Sequence, residues 1–323
     1  MTFRSILACA ALAATMGMSN APAGQRVEFW IDLYTGEPVS FEEMLGDLVG
    51  ADVVFLGERH TVERHHRWQE TIVKALAGGD RKLVLGLEML ETRYQPQLDR
   101  YGSGEIDFAG LAAETDWAER WDNYEDYRGP VEAARKAGAK LLALNADAGL
   151  VRRIGREGLE ALSEEERGQL PAELDLDDKP YFALLEMQMM VHAHMSEAFL
   201  NNIFAAQVAR DATMADSLAS FLESPEGKGR RAVVLLGAGH CSYGYGTVSR
   251  LKRRLPDTTD RIVIMSESGD VELPPAMAKY ARDIEITHQQ LRDIISRPLG
   301  DYLSVIEMKP EPPAPAAEET AAR

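Results

Sequence analysis

The chain has 323 residues, 45% of them hydrophobic and 27% charged, the composition of a globular protein with one large domain or two small ones. Acidic residues outnumber basic ones 52 to 35, for a formal net charge of -17 at pH 7. That balance excludes a nucleic-acid surface, which needs basic patches to displace counterions from phosphates.

The first residues carry one positive charge, Arg4, then an apolar run from Ser5 to Met18 and small residues around Ala21 and Ala23. They read as a secretory signal peptide over residues 1–23, cleaved after Ala21 or Ala23, so the mature protein is expected to be exported or periplasmic. Ile6-Leu7-Ala8-Cys9 loosely imitates a lipid-attachment box, but the apolar stretch before Cys9 is too short for one, and lipid anchoring is not expected. The run is also short for a membrane span, and no later segment reaches about 18 apolar residues. Cleavage leaves Cys241 as the lone cysteine, so no intrachain disulfide is expected. A thiol beside His240 fits either a small buried residue or a soft metal ligand.

From Ala51 onward, short β-branched runs alternate with long helical periods. Strands are predicted over Asp52 to Leu56, Leu83 to Leu87, Lys140 to Leu144, Ala232 to Leu236 and Arg261 to Met265, with weaker candidates at Ile284 to Thr287 and Tyr302 to Glu307. This is the pattern of βαβ units: an α/β fold with a mainly parallel sheet flanked by helices, occupying residues 24–308. No strand pattern occurs between Leu150 and Leu222, so about 150–222 is expected to be a helical insertion between the third and fourth strands. Residues 309–323, rich in Pro, Ala and Glu, cannot bury a core and read as a disordered tail.

Three of the predicted strands end on polar side chains. Val53-Val54-Phe55-Leu56-Gly57 delivers Glu58 and His60, Leu83-Val84-Leu85-Gly86-Leu87 delivers Glu88, and Ala232 to Leu236 delivers Gly237-Ala238-Gly239-His240. Carboxyl ends of strands are where open α/β sheets bind ligands. If the first two strands are neighbours, Glu58 and Glu88 sit roughly 5 Å apart and need a cation, a shared proton or an arginine. With His240 and His60 they make a mixed oxygen and nitrogen set suited to a divalent metal, although a purely structural polar edge fits too.

Two helices extend the polar edge. In the first crossover helix, positions 62, 65, 66, 69, 72, 73 and 76 share a face whose second half is apolar but whose first half carries His65, His66 and Gln69. These either satisfy one another or line a cavity. Further on, Leu200, Ile203, Phe204, Met214, Leu218 and Leu222 share a stripe with Gln207 and Asp211. Asp211 is costly to bury without a partner, and Arg210 projects about 100° away from it, toward some other partner. Tyr124 and Tyr127 follow the Trp-rich acidic segment from Trp117 to Asp126, which suits a flat apolar ligand, and a phenolate is a known haem-iron ligand. His192 and His194, two apart on a helical pattern, point to different sides and read as structural or surface residues.

The ordered set of motifs resembles the ChaN-like haem-binding uptake proteins, relatives of the Tiki, TraB and erythromycin-esterase group. The matching pieces are Gly57-Glu58-Arg59-His60 with His65-His66, Gly86-Leu87-Glu88-Met89 with Gln95, and Tyr127 ahead of Ala133-Ala134-Arg135. Leu144-Asn145-Ala146, Gln207 with Arg210-Asp211 and Met214-Ala215, and Gly237-Ala238-Gly239-His240 with Tyr243-Gly244-Tyr245-Gly246 complete it. The resemblance implies a haem pocket of Glu58, His60, His65, His66, Glu88, Tyr127, Asn145 and His240, with Tyr127 and His240 toward the iron. Its implied partners are haem, a second copy covering the flat cofactor from the other side, and an outer-membrane haem receptor. The chain departs from the family pattern at Thr61, Gly129 and Cys241. The esterase and Tiki branches imply an alternative, a metal-dependent hydrolase in which Glu58, Glu88 and His240 hold or activate a metal-bound water. A non-catalytic scaffold ranks last, because it leaves the polar edge unexplained.

Overall fold

The computed structural model describes residues 27–190, 196–266 and 297–307. The signal peptide, Cys9, the candidate strand at Ile284 to Thr287, His192, His194 and the tail from residue 309 lie outside the described residues. The strands are β1 (Val27–Asp32), β2 (Pro38–Val39), β3 (Val53–Glu58), β4 (Leu83–Glu91), β5 (Lys140–Asn145), β6 (Arg231–Gly237), β7 (Asp260–Met265) and β8 (Tyr302–Glu307). The helices that matter for the site are α1 (Phe41–Leu48), α2 (Glu63–Ala77), α3 (Gln95–Ser103), α4 (Phe108–Glu114), α5 (Trp117–Arg120) and α6 (Arg128–Lys136). They are followed by α7 (Ala148–Glu157), α8 (Glu164–Arg167), α9 (Lys179–Met190), α10 (Glu197–Glu223) and α11 (Gly246–Arg254).

The eight strands form one mostly parallel sheet in the order β2-β1-β8-β7-β3-β6-β4-β5, with β1 antiparallel to β2 and β8. The α/β architecture and the five strong strands are as expected from sequence, and the weaker candidate at Tyr302 to Glu307 is β8. The short edge strands β1 and β2 were not expected. The described residues between β5 and β6 are helical or irregular.

One expectation is overturned. β3 and β4 are not neighbours, because β6 lies between them, parallel to both: Val53 pairs with Ala232, and Leu83 with Arg231. Glu58 and Glu88 therefore end strands two positions apart, about 10 Å rather than 5 Å. The chain moves one way along the sheet from β3 to β4 to β5, then returns to β6 and β7. Keeping every crossover right-handed on the return requires the opposite face. The two cores show this. Val54, Leu56, Leu85 and Leu87 pack with Ile72, Val73 and Leu76 of α2 and with Val131 of α6. Their strand neighbours Val53, Phe55 and Val84 pack on the other side with Met214 and Leu218 of α10 and Val248 and Leu251 of α11. The helices that follow the neighbouring strands β3 and β6 thus go to opposite faces, which makes their carboxyl ends a topological switch point of the sheet.

Candidate functional site

Two buried polar clusters flank the end of β6. Glu58, at the end of β3, points to the α2 and α6 face, where its Oε1 accepts from the Tyr127 hydroxyl at 2.5 Å and from His60 Nδ1 at 2.8 Å. Its Oε2 accepts from Gln69 Nε2 at 2.6 Å and lies 3.1 Å from His66 Nδ1. Both ring nitrogens of His66 face oxygens, since Nε2 lies 2.8 Å from the His60 carbonyl. Burial opposes a charge on this ring, but the hydrogen bond and charge of Glu58 raise the His66 pKa. Burial likewise favours the neutral form of Glu58, and the bonds from His60 and His66 nevertheless hold its carboxyl below the usual range. His65 is fully buried and accepts the backbone N–H of Arg59 at 3.0 Å, fixing the turn after β3.

Glu88 faces the α10 side. Its Oε2 accepts the backbone N–H of Gly237 at 2.6 Å, while Oε1 accepts from Arg210 and lies 3.3 Å from His240 Nε2. His240 Nδ1 is 2.7 Å from Asp211 Oδ1, so this ring too lies between two carboxylates. Burial pulls its pKa down, the charges on Glu88 and Asp211 push it up, and the balance stands at about 9. Burial also works against the Glu88 charge, yet His240 and Arg210 keep its carboxyl well below the usual range. Asp211 is completed by the hydroxyls of Tyr181 and Thr247, each at 2.8 Å. The expectation that Asp211 needs partners and that Arg210 pairs elsewhere thus holds. Asn145 donates to the Glu88 carbonyl at 2.8 Å and accepts from Ala146 N–H at 2.9 Å.

Gly237 joins the clusters. A Cβ at this position would lie 2.9 Å from the His60 ring and 3.6 Å from Glu88 Oε2, so only glycine lets His60 lean across the end of β6. His60 is the exception to burial among the polar set, with its side chain 34% exposed and its ring edge against Trp121 at 4.6 Å between centroids. Backbone strain gathers nearby. The two non-glycine residues with positive φ among those described are Asp116, which opens α5 and its Arg120, and Tyr243, which follows His240.

Beside Trp121 opens a pocket of about 380 Å³ at the ends of β4 and β5, lined by Met89, Trp121, Val151, Arg120, Arg152 and Arg210 among others. Asn145 reaches it as well. Of the expected haem-pocket residues, Asn145 alone lines the pocket, His60 stands beside it against Trp121, and Asn145, His65, His66, Glu58, Glu88, Tyr127 and His240 are buried. Tyr127 and His240, expected toward the iron, have their polar atoms committed to carboxylates. Burial and the Glu58 charge push the Tyr127 phenol far up, which disfavours a phenolate. The expected metal set of Glu58, Glu88 and His240 is not assembled, because the glutamates face opposite sides of the sheet. Among the described residues no group of three or more His, Cys, Asp or Glu is placed to hold a metal ion. Cys241 is buried without a disulfide, and burial raises its pKa.

Sequence reasoning missed Tyr181 and Thr247, which carry no motif and lie far from Asp211 along the chain. It placed Trp121 in a ligand-facing segment without singling it out. A parity signal was available for the glutamates. Gly57 and Gly86 both face the α10 and α11 side, toward Cys241 and Leu144 respectively. Glu58 follows its glycine by one residue and Glu88 by two, so strand alternation sends them to opposite faces.

The chain matches known proteins at three levels. It is 26% identical over 254 residues to Protein RETICULATA-RELATED 5, chloroplastic, of Arabidopsis thaliana, covering 71% of this chain and 34% of that protein, so it spans about a third of that relative's length. Its fold is similar to that of ChaN of Campylobacter jejuni, solved with cofacial haem binding, at TM-score 0.63 and 20% identity, covering 87% of this chain and 97% of that one. An erythromycin esterase, EreC, is more distant in shape, with TM-score 0.43 and 14% identity over 74% of this chain and 77% of that one, a likeness that carries no argument. The family model described as haem-binding uptake, Tiki superfamily, ChaN matches residues 44–251, a span that contains both clusters and the pocket, and the chain belongs to that family.

Proposed function

We propose that this protein binds haem at the pocket beside His60 and handles it for iron uptake outside the cytoplasm. The observation that carries the reading is His60 itself: a half-exposed imidazole whose Nδ1 is held by Glu58 at 2.8 Å, next to a pocket that mixes apolar and guanidinium surface. An imidazole held through one nitrogen by a carboxylate has its tautomer and orientation fixed, which leaves the other nitrogen to serve as a ligand. The residues present fit the group: Met89, Trp121 and Val151 offer apolar surface to a flat macrocycle, and the arginines offer donors to its carboxylates. Haem bound here would supply a ferric centre able to accept an imidazole nitrogen. The protein's own part is to orient His60, through Glu58, and to keep the ring nitrogens of His66 and His240 occupied by buried oxygens. Export is supported by the sequence of residues 1–23 alone, and a second copy closing over the exposed ligand by the cofacial arrangement in the name of the Campylobacter jejuni structure.

The test is a haemin titration followed in the Soret band. A saturable shift that is lost in His60→Ala but kept in Tyr127→Phe supports the assignment. A shift unchanged in His60→Ala overturns the ligand, and no saturable shift in the wild type overturns haem binding. Sedimentation with and without haemin reads out the second copy.

A hydrolytic reading is favoured by the same Glu58–His60 pair, since a carboxylate-held imidazole is also the form of a general base. Turnover of an ester panel that survives chelation and disappears in His60→Ala is its expected signature. No turnover in the wild type removes it.

A further inference from the structure

The three guanidinium groups lining the pocket are not equivalent. Both terminal nitrogens of Arg120 are committed: Nη1 donates to Glu91 Oε1 at 2.9 Å and Nη2 to the Thr115 carbonyl at 2.8 Å, its buried Nε has no hydrogen-bond partner among the described residues, and the other Glu91 oxygen lies 2.7 Å from Arg93. Arg210 is half committed. Its Nη2 pairs with Glu88 and its Nε lies 3.4 Å from Asn145 Oδ1, while Nη1 makes no hydrogen bond to any described residue. Arg152, exposed on α7, makes no ion pair or hydrogen bond with any described residue. Two of the three forks therefore enter the pocket with donors to spare.

The charges around them sharpen the point. Glu91 pairs with Arg120 and with Arg93, which it shares with Asp147, and Glu88 pairs with Arg210 and His240, which also faces Asp211. On the lining itself Arg120, Arg152 and Arg210 stand against Glu91 and the exposed Glu119, one net positive charge in a chain of net charge -17. Guanidinium N–H pairs match planar oxyanions with two parallel acceptors, which distinguishes a carboxylate from a neutral carbonyl or a hydroxyl. Met89, Trp121 and Val151 beside them call for an apolar body attached to that carboxylate.

We propose that Arg152, together with Nη1 of Arg210, clamps the carboxylate groups of the ligand, so that the pocket selects planar apolar molecules bearing carboxylates. This rests on the haem reading above and adds the selectivity: the propionate edge of a porphyrin is held by Arg152 and Arg210, and Arg120 serves to shape the wall. Arg152 is the cleaner probe, because removing it leaves no buried charge unpaired, whereas removing Arg210 exposes Glu88 to that cost.

The experiment titrates the mature chain with haemin, haemin dimethyl ester and metal-free protoporphyrin IX, reading the Soret band and tryptophan quenching. It compares wild type, Arg152→Gln, Arg152→Lys and Arg156→Gln. Arg156 is exposed on the same helix and absent from the lining, so it controls for net charge. Losing one charge-assisted bidentate contact corresponds to an affinity drop of about tenfold. Arg152→Gln is expected to show that drop for both free-acid porphyrins and no change for the ester, with Arg152→Lys intermediate and Arg156→Gln like wild type. Equal affinity of the wild type for acid and ester, or an equal loss for both in Arg152→Gln, overturns the clamp while leaving haem binding in place. Acid-selective, Arg152-dependent binding of protoporphyrin IX without a haemin Soret shift would keep the clamp and remove the haem reading. Failure to bind any of the three overturns both.

Discussion

Replacing Tyr127 by Phe separates a packing role from an iron ligand. The phenol is fully buried between Trp117, Trp121 and His66, and its hydroxyl donates to Glu58 at 2.5 Å. A hydrogen bond to a charged acceptor contributes about 1.5–3 kcal/mol. Glu58 keeps His60, His66 and Gln69 as donors, so the loss should fall near the middle, about 2 kcal/mol. At roughly 2–4 °C per kcal/mol for a domain of this order of size, the midpoint should drop by roughly 4–8 °C. The aromatic ring stays, so no cavity term is added. The assay pairs thermal unfolding by circular dichroism with a haemin titration on the same preparation. The expected pattern is a lowered midpoint with an unchanged Soret position and an affinity within about twofold of wild type, since the phenol lies inside the core. An unchanged midpoint with a lost or shifted Soret band would refute the reasoning, by showing that the phenol leaves Glu58 to meet the ligand.

Three further outcomes follow from the same geometry. His240 has its pKa raised to about 9, so its contribution is fully present below its unfolded value near 6.5 and fades as pH rises through 9. Glu88 has the opposite sign: its stabilisation is present above the ordinary value of 4.5 and lost as pH falls through its depressed one. Urea unfolding should therefore show stability declining between pH 7 and pH 9.5, an arm that His240→Asn flattens, and a wild type equally stable across that range would contradict the ion-pair picture. Gly237→Ala sets a methyl 2.9 Å from the half-exposed His60 ring, which can turn toward solvent, so unfolding should change by less than about 1 kcal/mol while the pairing of His60 with Glu58, read by histidine NMR, is broken. Gly246→Ala meets the His240 carbonyl and a φ of 58°, both backbone constraints, and should cost more than about 2 kcal/mol in the same unfolding assay; a smaller loss would mean that the His240 loop is free to relax.

Much of this arrangement was legible in the chain. The apolar runs before Glu58 and His240 mark strand ends, the run before Glu88 marks where the regular pairing of β4 stops although the strand runs on to Glu91, and α2 carries its histidines on the face that packs. What could not be read was strand order. Sequential strands pair more often than not, but here residues 231–237 insert between β3 and β4, a choice made by long-range packing of α10 and α11 against one face. That error propagated: two glutamates expected to share a cation instead face different helices, each with its own histidine. Tyr181 and Thr247 were invisible for a related reason, since a hydroxyl at an ordinary helix position becomes informative only once Asp211 is known to lie opposite it. His60 shows the limit from the other side. Its residue type and spacing equal those of the buried His66, and accessibility alone distinguishes a candidate ligand from a structural residue.

The wedge of β6 between β3 and β4 also bears on how the protein comes into being. As the chain is synthesised from its N-terminus, β3 and β4 emerge with no shared edge, and both keep open hydrogen-bonding rims until β6 arrives roughly 140 residues after β4. Contacts of that sequence separation are slow to form because loop closure precedes any gain from pairing. Glu88 meets Gly237, and His60 its resting place, in that same late event. A chain synthesised as far as α10 already holds every residue of the pocket lining and the Glu58–His60 pair, but the strands that carry Glu58 and Glu88 gain their common neighbour only when β6 arrives, so the site is assembled last although its parts are made first.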